Sequence, residues 1–179
     1  MSECAHFVLL AQYNEWMNEK LYAAAASLPP GAWLAERGAF FGSIAGTLNH
    51  IVAGDTIWLK RFALHPSRFA VLQPLLAWPA PASLAAIHSL ELPTLLARRQ
   101  ELDCIISQWV QALSDADLEQ TLEYSSMRGL ASRKRFGSLL LHFFNHQTHH
   151  RGQASTLLSQ AGADIGVTDL LMLVPDVTL

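Results

Sequence analysis

The stretch FGSLLLHFFNHQTHHRGQASTLLSQA, Phe136–Ala161, decides how the rest of the chain reads. It carries four of the eight histidines, His142, His146, His149 and His150, inside an otherwise apolar helical pattern. An α-helix turns about 100° per residue, so residues three and four apart share a face. The four histidines and Gln153 therefore crowd onto one arc of a single helix. Ser138 is a candidate cap for that helix, and Gly162 is a candidate stop. Imidazoles on a face that points into an apolar bundle leave donors and acceptors unpaired, at about 1–3 kcal/mol each, unless something satisfies them. That need is the first sign of a metal centre.

Three more segments carry the same period. From Glu3 to about Ser27, Phe7, Leu10, Met17, Leu21 and Ala24 recur at helical spacing, with a polar interruption at Asn14, until Pro29-Pro30-Gly31 ends the run. Ser43 caps a second helix that runs to about Ala63 through Ile44, Leu48, Ile51, Asp55, Trp58 and Phe62, and His65-Pro66-Ser67 stops it. Pro93 suits the first turn of a third. Leu95, Leu102, Ile106, Trp109 and Leu113 form its apolar side, with Arg98, Arg99, Glu101 and Asp103 among its more exposed positions.

The connections are less regular. Ala32–Gly42 should lay Trp33, Phe40 and Phe41 on the bundle. Residues 66–82 are a Pro-rich crossover too long for a tight turn, and Ser83–Leu90 is expected to form a short helical turn. Asp115–Leu122 is a polar connection with one more turn of helix. Thr121–Tyr124 and Leu130–Arg133 flank a Ser-Ser-Met-Arg-Gly turn as a small hairpin before helix 4, with Gly129 supplying positive φ. The tail from Ile165 to Leu179 should pack its apolar run Leu170–Val174 across the bundle. Four long amphipathic helices without a clear sheet specify an all-α four-helix bundle, one domain over residues 1–179.

Composition narrows the partners. A chain of 179 residues builds a core without disulfides. It is 51% hydrophobic and only 15% charged, which points to helices buried on more than one side or to a surface hidden in an oligomer. The net charge is −3 and the one basic cluster is Arg133-Lys134-Arg135, too small a footprint for nucleic acid. Cys4 and Cys104 form no C-x-x-C, and no signal-like N-terminus precedes them, so a reducing cytoplasm is expected. Phe69–Ile87, broken by Pro74, Pro79 and Pro81, cannot form the roughly 20-residue helix of a membrane span.

His146 and His150 stand four apart, so both imidazoles reach one point above the helix, a spacing used by zinc and iron proteins. Helix 2 holds one more histidine, His50, on an otherwise apolar element, and bundles assemble metal sites from facing helices. Three neutral imidazoles leave room for water or substrate, as catalytic sites do. Nitrogen ligands suit zinc, nickel, iron or copper and disfavour magnesium and calcium. His142 and His149 could substitute as ligands, or serve as partners of the ligands or contacts to substrate. Asn49 and Asn145 either orient ligands or sit exposed. Asp55 is expected to pair with Arg151 or another cation, and Arg151, pointing away from the histidine arc, to form a structural ion pair. His6, His65 and His88 read as surface or loop residues. Neither cysteine has a nucleophile motif, and no G-x-S-x-G or phosphate-cradling loop exists.

His146-Gln-Thr-His-His150-Arg-Gly-Gln153 resembles the H-x-x-x-H-R-G-Q signature of the DinB family, within the wider DinB/YfiT-like bundles. Tyr13-Asn14-Glu15-Trp16-Met17-Asn18 is similar to that family's first-helix motif. Phe41-Gly42-Ser43-Ile44 through Thr47-Leu48-Asn49-His50, then Asp55 and Ile57-Trp58, resembles its second-helix motif, and Val167-Thr168-Asp169-Leu170 its C-terminal segment. The likeness spans nearly the whole chain in order. It implies an up-down-down-up bundle with a long crossover between helices 2 and 3, a divalent metal on His50, His146 and His150, and a homodimer. Zinc and nickel lead among the metals expected, with iron and manganese behind them. Superfamily relatives include thiol-dependent enzymes, such as mycothiol-dependent maleylpyruvate isomerases and bacillithiol transferases. The family name records induction by DNA damage, a stress response, and implies no DNA binding.

The expected protein is thus a cytoplasmic, metal-dependent, thiol-dependent transferase or isomerase acting on a small molecule. Hydrolysis ranks lower, because no Glu accompanies the histidine pair as in H-E-x-x-H. A non-catalytic metal- or ligand-binding stress protein is the third reading.

Overall fold

Proline, glycine and serine set the ends of the main helices. In the computed structural model, which describes residues 2–176, helix α1 covers Glu3–Ser27. It stops where Leu28, held out of the helical region by the proline after it, turns extended at φ −71° and ψ 152°. Helix α2, Ile44–Phe62, starts on Ser43, whose Oγ accepts the Gly46 amide at 3.0 Å. Helix α3, Leu92–Gln111, has Pro93 in its first turn. The short α4, Asp115–Glu119, opens on a reciprocal capping box between Ser114 and Asp117.

Strands β1, Thr121–Ser125, and β2, Ala131–Arg135, pair antiparallel around Gly129 at φ 74°. Helix α5, Phe136–Gln160, follows β2 directly, and its first amide donates to Gln120 O at 2.8 Å. Ser138 therefore lies inside the first turn and is not the cap. At the far end Gly162 takes φ 88°, with Ala163 N bonded to Leu158 O and Gly162 N to Ser159 O, both at 3.0 Å. That double bond closes the last turn as a Schellman motif.

Residue pairs across the interfaces give each helix its direction. Phe7 stacks on Phe144 and Asn14 bonds Arg151, so α1 and α5 run parallel. The Cys4 amide meets Asp115 while Asn14 and Asn18 meet Asp103, so α3 opposes α1. Asp55 meets Arg99 and Phe62 meets Trp109, making α2 parallel to α3. The bundle is up-down-down-up. Two consecutive helices in one direction require the long crossover, residues 63–91. It is more ordered than a Pro-rich loop suggests: Ala70–Ala77 winds as 3₁₀ helix and buries Leu72 and Leu75. Lys60 Nζ ties it to α2 through the carbonyls of Leu75, Leu76 and Trp78 at 2.8, 3.0 and 2.6 Å. Ser83–Leu90 makes only one reverse turn, Ala86 N to Ser83 O, and no helix.

Several side chains sit where their chemistry alone would not put them. Arg99 and Asp103, expected on the exposed side of α3, are buried in the bundle, as are Asn14 and Asn18. Arg99 Nη1 lies 2.5 Å from Asp55 Oδ2 and its Nε donates to Asp103 Oδ2 at 3.0 Å, so one guanidinium answers two carboxyls in the core. Burial pushes the Asp103 carboxyl up to about 6 against the pull of Arg99. His65, expected at the surface, is buried with its ring against Phe69 and Phe136. Trp33 packs inward as expected, but Phe40 is 88% exposed. The tail lies along α1, where Tyr13 Oη donates to Thr168 O at 2.8 Å, yet Leu171, Met172 and Val174 stay exposed. The expected tail residues 177–179 lie outside the described range. Among the described residues both cysteines are free, and no helix is long and apolar enough to cross a membrane.

Candidate metal centre

Helices α2 and α5 run antiparallel side by side, which carries His50 across to His146 and His150. His50 Nε2 lies 3.2 Å from His146 Nε2, and one ring nitrogen from each of the three lies within 4.8 Å of the others. Two nitrogens bound at about 2.0–2.1 Å to one tetrahedral ion stand about 3.4 Å apart, so this spacing suits a shared ion. No other group of His, Cys, Asp or Glu among the described residues has such spacing.

The outer nitrogens decide what the inner ones can do. His50 Nδ1 is 2.6 Å from Leu84 O, and His150 Nδ1 is 2.8 Å from Gln153 Oε1. Both oxygens only accept, so each Nδ1 carries the proton and each Nε2 keeps a lone pair. A proton on His146 Nε2 would satisfy one neighbour; a cation satisfies all three. Burial lowers the proton affinity of His50 and His150 below the ordinary imidazole range. His146 is pushed down to about 3, by burial first and then by the charges of His150 and His50. Neutral imidazole is the form that binds metal.

Two glycines on α2 make the site fit. A Cβ on Gly54, one turn beyond His50, would stand 2.9 Å from His146 Cε1. A Cβ on Gly46 would stand 1.9 Å from Phe41 O. The room at Gly46 lets Phe41 seat over His50, ring centroids 3.9 Å apart and 17° from parallel. Asn49, fully buried, secures the neighbouring crossover: its Oδ1 accepts from His88 N at 2.7 Å and Ser89 N at 3.1 Å, and its Nδ2 donates to Ser89 O at 2.9 Å. It thus acts on the segment that carries Leu84 rather than on a ligand directly.

The other residues singled out in the sequence scatter around this centre. His142 and His149 do not join the three. The His142 ring stands 5.9 Å from His146 and 5.0 Å from Trp58; His149 contacts Gln153 and lies 4.8 Å from the His150 ring. Asn145, His6 and His88 are exposed. Asp55 is paired with Arg99, not with Arg151. Arg151 makes no ion pair among the described residues. It donates to Asn14 Oδ1 and Thr148 Oγ1 and lies over the Tyr13 ring, because Arg99 already holds both nearby carboxylates. Gly54, Gly46, Phe41 and Leu84 were missed as parts of the site. A glycine four residues after a helical histidine was the available signal, since mid-helix glycine costs about 0.5–1 kcal/mol and wants a reason.

With this geometry in hand, comparison with known proteins is direct. The DinB family matches residues 1–175. Protein DinB of Bacillus subtilis (strain 168) is similar, 26% identical over 160 residues, which cover 89% of this chain and 88% of that protein. No solved structure matches the chain significantly.

Proposed function

The chain belongs to the DinB family, and we propose that its His50, His146 and His150 hold a divalent transition metal, zinc or nickel first, for thiol-dependent transfer or isomerisation of a small molecule. One observation carries this reading. The two Nδ1 atoms of His50 and His150 are pinned by oxygen acceptors, so their lone pairs are left to a shared cation. A divalent ion there would supply Lewis acidity, lowering the pKa of a thiol or polarising an oxygen on an electrophile.

The chain's own residues supply the rest. His50, His146 and His150 stay neutral at working pH because burial disfavours their protonated forms. Phe41 covers the face of His50 and keeps water off it. His142 and His149, both exposed beside the centre, are this reading's substrate contacts. Hydrolysis remains the lesser reading: no carboxylate joins the three histidines, and Asp55 is committed to Arg99. The reading also takes the protein as a cytoplasmic homodimer, for which the exposed Leu171 and Met172 offer apolar surface; sedimentation equilibrium tests it.

Metal analysis of protein purified without a histidine tag, beside His50→Ala, His146→Ala and His150→Ala, tests the centre. About one equivalent in the parent protein and loss in each variant is expected; stoichiometric metal surviving all three changes refutes the assignment. A panel of electrophiles with and without low-molecular-weight thiols tests the reaction. Equal consumption with and without thiol excludes the transferase, and no consumption at all favours a binding role.

A further inference from the structure

Arg61, in the last turn of α2, is partly buried and pairs with no carboxylate among the described residues. Its guanidinium lies over two aromatic rings, 4.7 Å from the Trp58 centroid and 5.0 Å from that of Tyr124, which are themselves 5.3 Å apart. Trp58 in turn packs edge-on to His142 at 5.0 Å, and His142 stands 5.9 Å from His146. A line of rings thus joins the histidine centre to a stacked cation. Gly54 marks the level of the centre on α2, and Arg61 is seven residues on, about 10 Å along the helix axis.

The two rings return part of the hydration that partial burial takes from the guanidinium, and no anion of the described chain adds to them. Its two rings hold the planar fork in one orientation, which lowers the entropy lost on engaging a ligand. Lys60 is held by three carbonyls, Arg133 by Glu123 and Arg135 by Glu119, while Lys134 is exposed on the hairpin without a planar fork. A planar fork held in one orientation matches the two coplanar oxygens of a carboxylate.

We propose that Arg61 is the anchor for a carboxylate on the substrate that reacts at the histidine centre, which makes that substrate an extended carboxylic acid that reaches past the rings of His142 and Trp58. The reacting end rests on the function proposed above; the anchoring end does not. A purely structural Arg61 would instead only pin the hairpin to α2.

The probe is S-methylglutathione, a peptide with two carboxylates and a capped sulfur, compared with its diethyl ester. Both are titrated by calorimetry and tryptophan fluorescence into metal-free and metal-loaded protein, and into Arg61→Gln and Arg61→Lys. The acid should bind the parent protein at least ~10-fold tighter than the ester, as loss of a charge-assisted pair predicts. Arg61→Gln should close that gap, Arg61→Lys should retain part of it, and metal content should not change. Equal binding of acid and ester, no binding of either, or a full acid preference in Arg61→Gln overturns the proposal. If Arg61→Gln disturbs the hairpin, the acid–ester comparison on the parent protein still decides. Acid preference in a protein that takes up no metal would sink the metal reading and leave the anchor standing.

Discussion

The imidazole of His146 rests against the backbone of Gly54, with no space for a side chain between them: a Cβ there would stand 2.9 Å from Cε1. Alanine is the better helix former by about 0.5–1 kcal/mol, so Gly54→Ala should leave the metal-free protein at least as stable as the parent unless the ring resists. The ring must shift by a few tenths of an ångström, away from the position it shares with His50 and His150. Metal affinity should fall about 10–100-fold, the range seen when groups that orient ligands are lost. Calorimetric titration beside a melting curve checks both halves. Unchanged affinity would mean the glycine serves packing alone.

Asn49 reaches the centre through the crossover. Its side chain holds the backbone of His88 and Ser89, a few residues past the Leu84 carbonyl that accepts from His50 Nδ1. Asn49→Ala should therefore loosen residues 84–90, raise their amide exchange, and lower metal affinity by about 10-fold through the freed His50 ring. Faster exchange with unaltered affinity would show that Leu84 holds its place by other means.

Much of this centre was legible because helical period is local. His146 and His150 share a face by spacing alone, and His50 was the one histidine in the body of another helix, His6 lying in the first turn of α1; the structure brings His50, His146 and His150 together. Gly129 and Gly162 were equally readable, since positive φ after a turn or a last helical residue is a demand of the backbone itself. Arg99 and Asp103 were not. Charged residues four apart on a helix look solvated, and only the approach of Asp55 from α2 makes their burial tolerable. The burial of His65 likewise needs Phe69 and Phe136 to close over a loop residue. The Leu84 carbonyl leaves no side-chain signature at all.

The same buried charges make a stability prediction. Asp55→Asn removes the 2.5 Å ion pair from a dry core while Asp103 still answers the Arg99 guanidinium, so the cost should fall below the roughly 3–5 kcal/mol of a stranded charge, at about 1–3 kcal/mol. Urea unfolding should show this as a lower midpoint with an unchanged slope. Replacing the whole group, Asp55→Leu with Arg99→Met and Asp103→Asn, should recover part of the loss, because Arg99 holds both carboxylates and a change at Asp55 and Arg99 alone would strand Asp103. A triple variant as unstable as the sum of three singles would mean the group does not act as a unit.

Proton linkage separates this centre from three histidines in water. An unfolded imidazole titrates near ~6.5, whereas burial depresses His50 and His150 and pushes His146 down to about 3. Between about 6.5 and about 3 these three rings bind more protons in the unfolded chain than in the folded one, while the raised carboxyl of Asp103 pulls the other way below about 6. Their contribution to the stability of the metal-free protein is thus fully present above ~6.5 and declines as pH falls through that window. The change in melting temperature from pH 7 to pH 4.5 should be more unfavourable in the parent protein than in His146→Gln, which cannot titrate there. Metal binding follows the same sign. At pH 6 three solvated imidazoles would release about two protons on binding, while neutral, buried ones release few. Calorimetry in two buffers of different ionisation enthalpy counts them. A release near two would show that the rings are protonated before metal arrives, and that burial does not hold them ready for it.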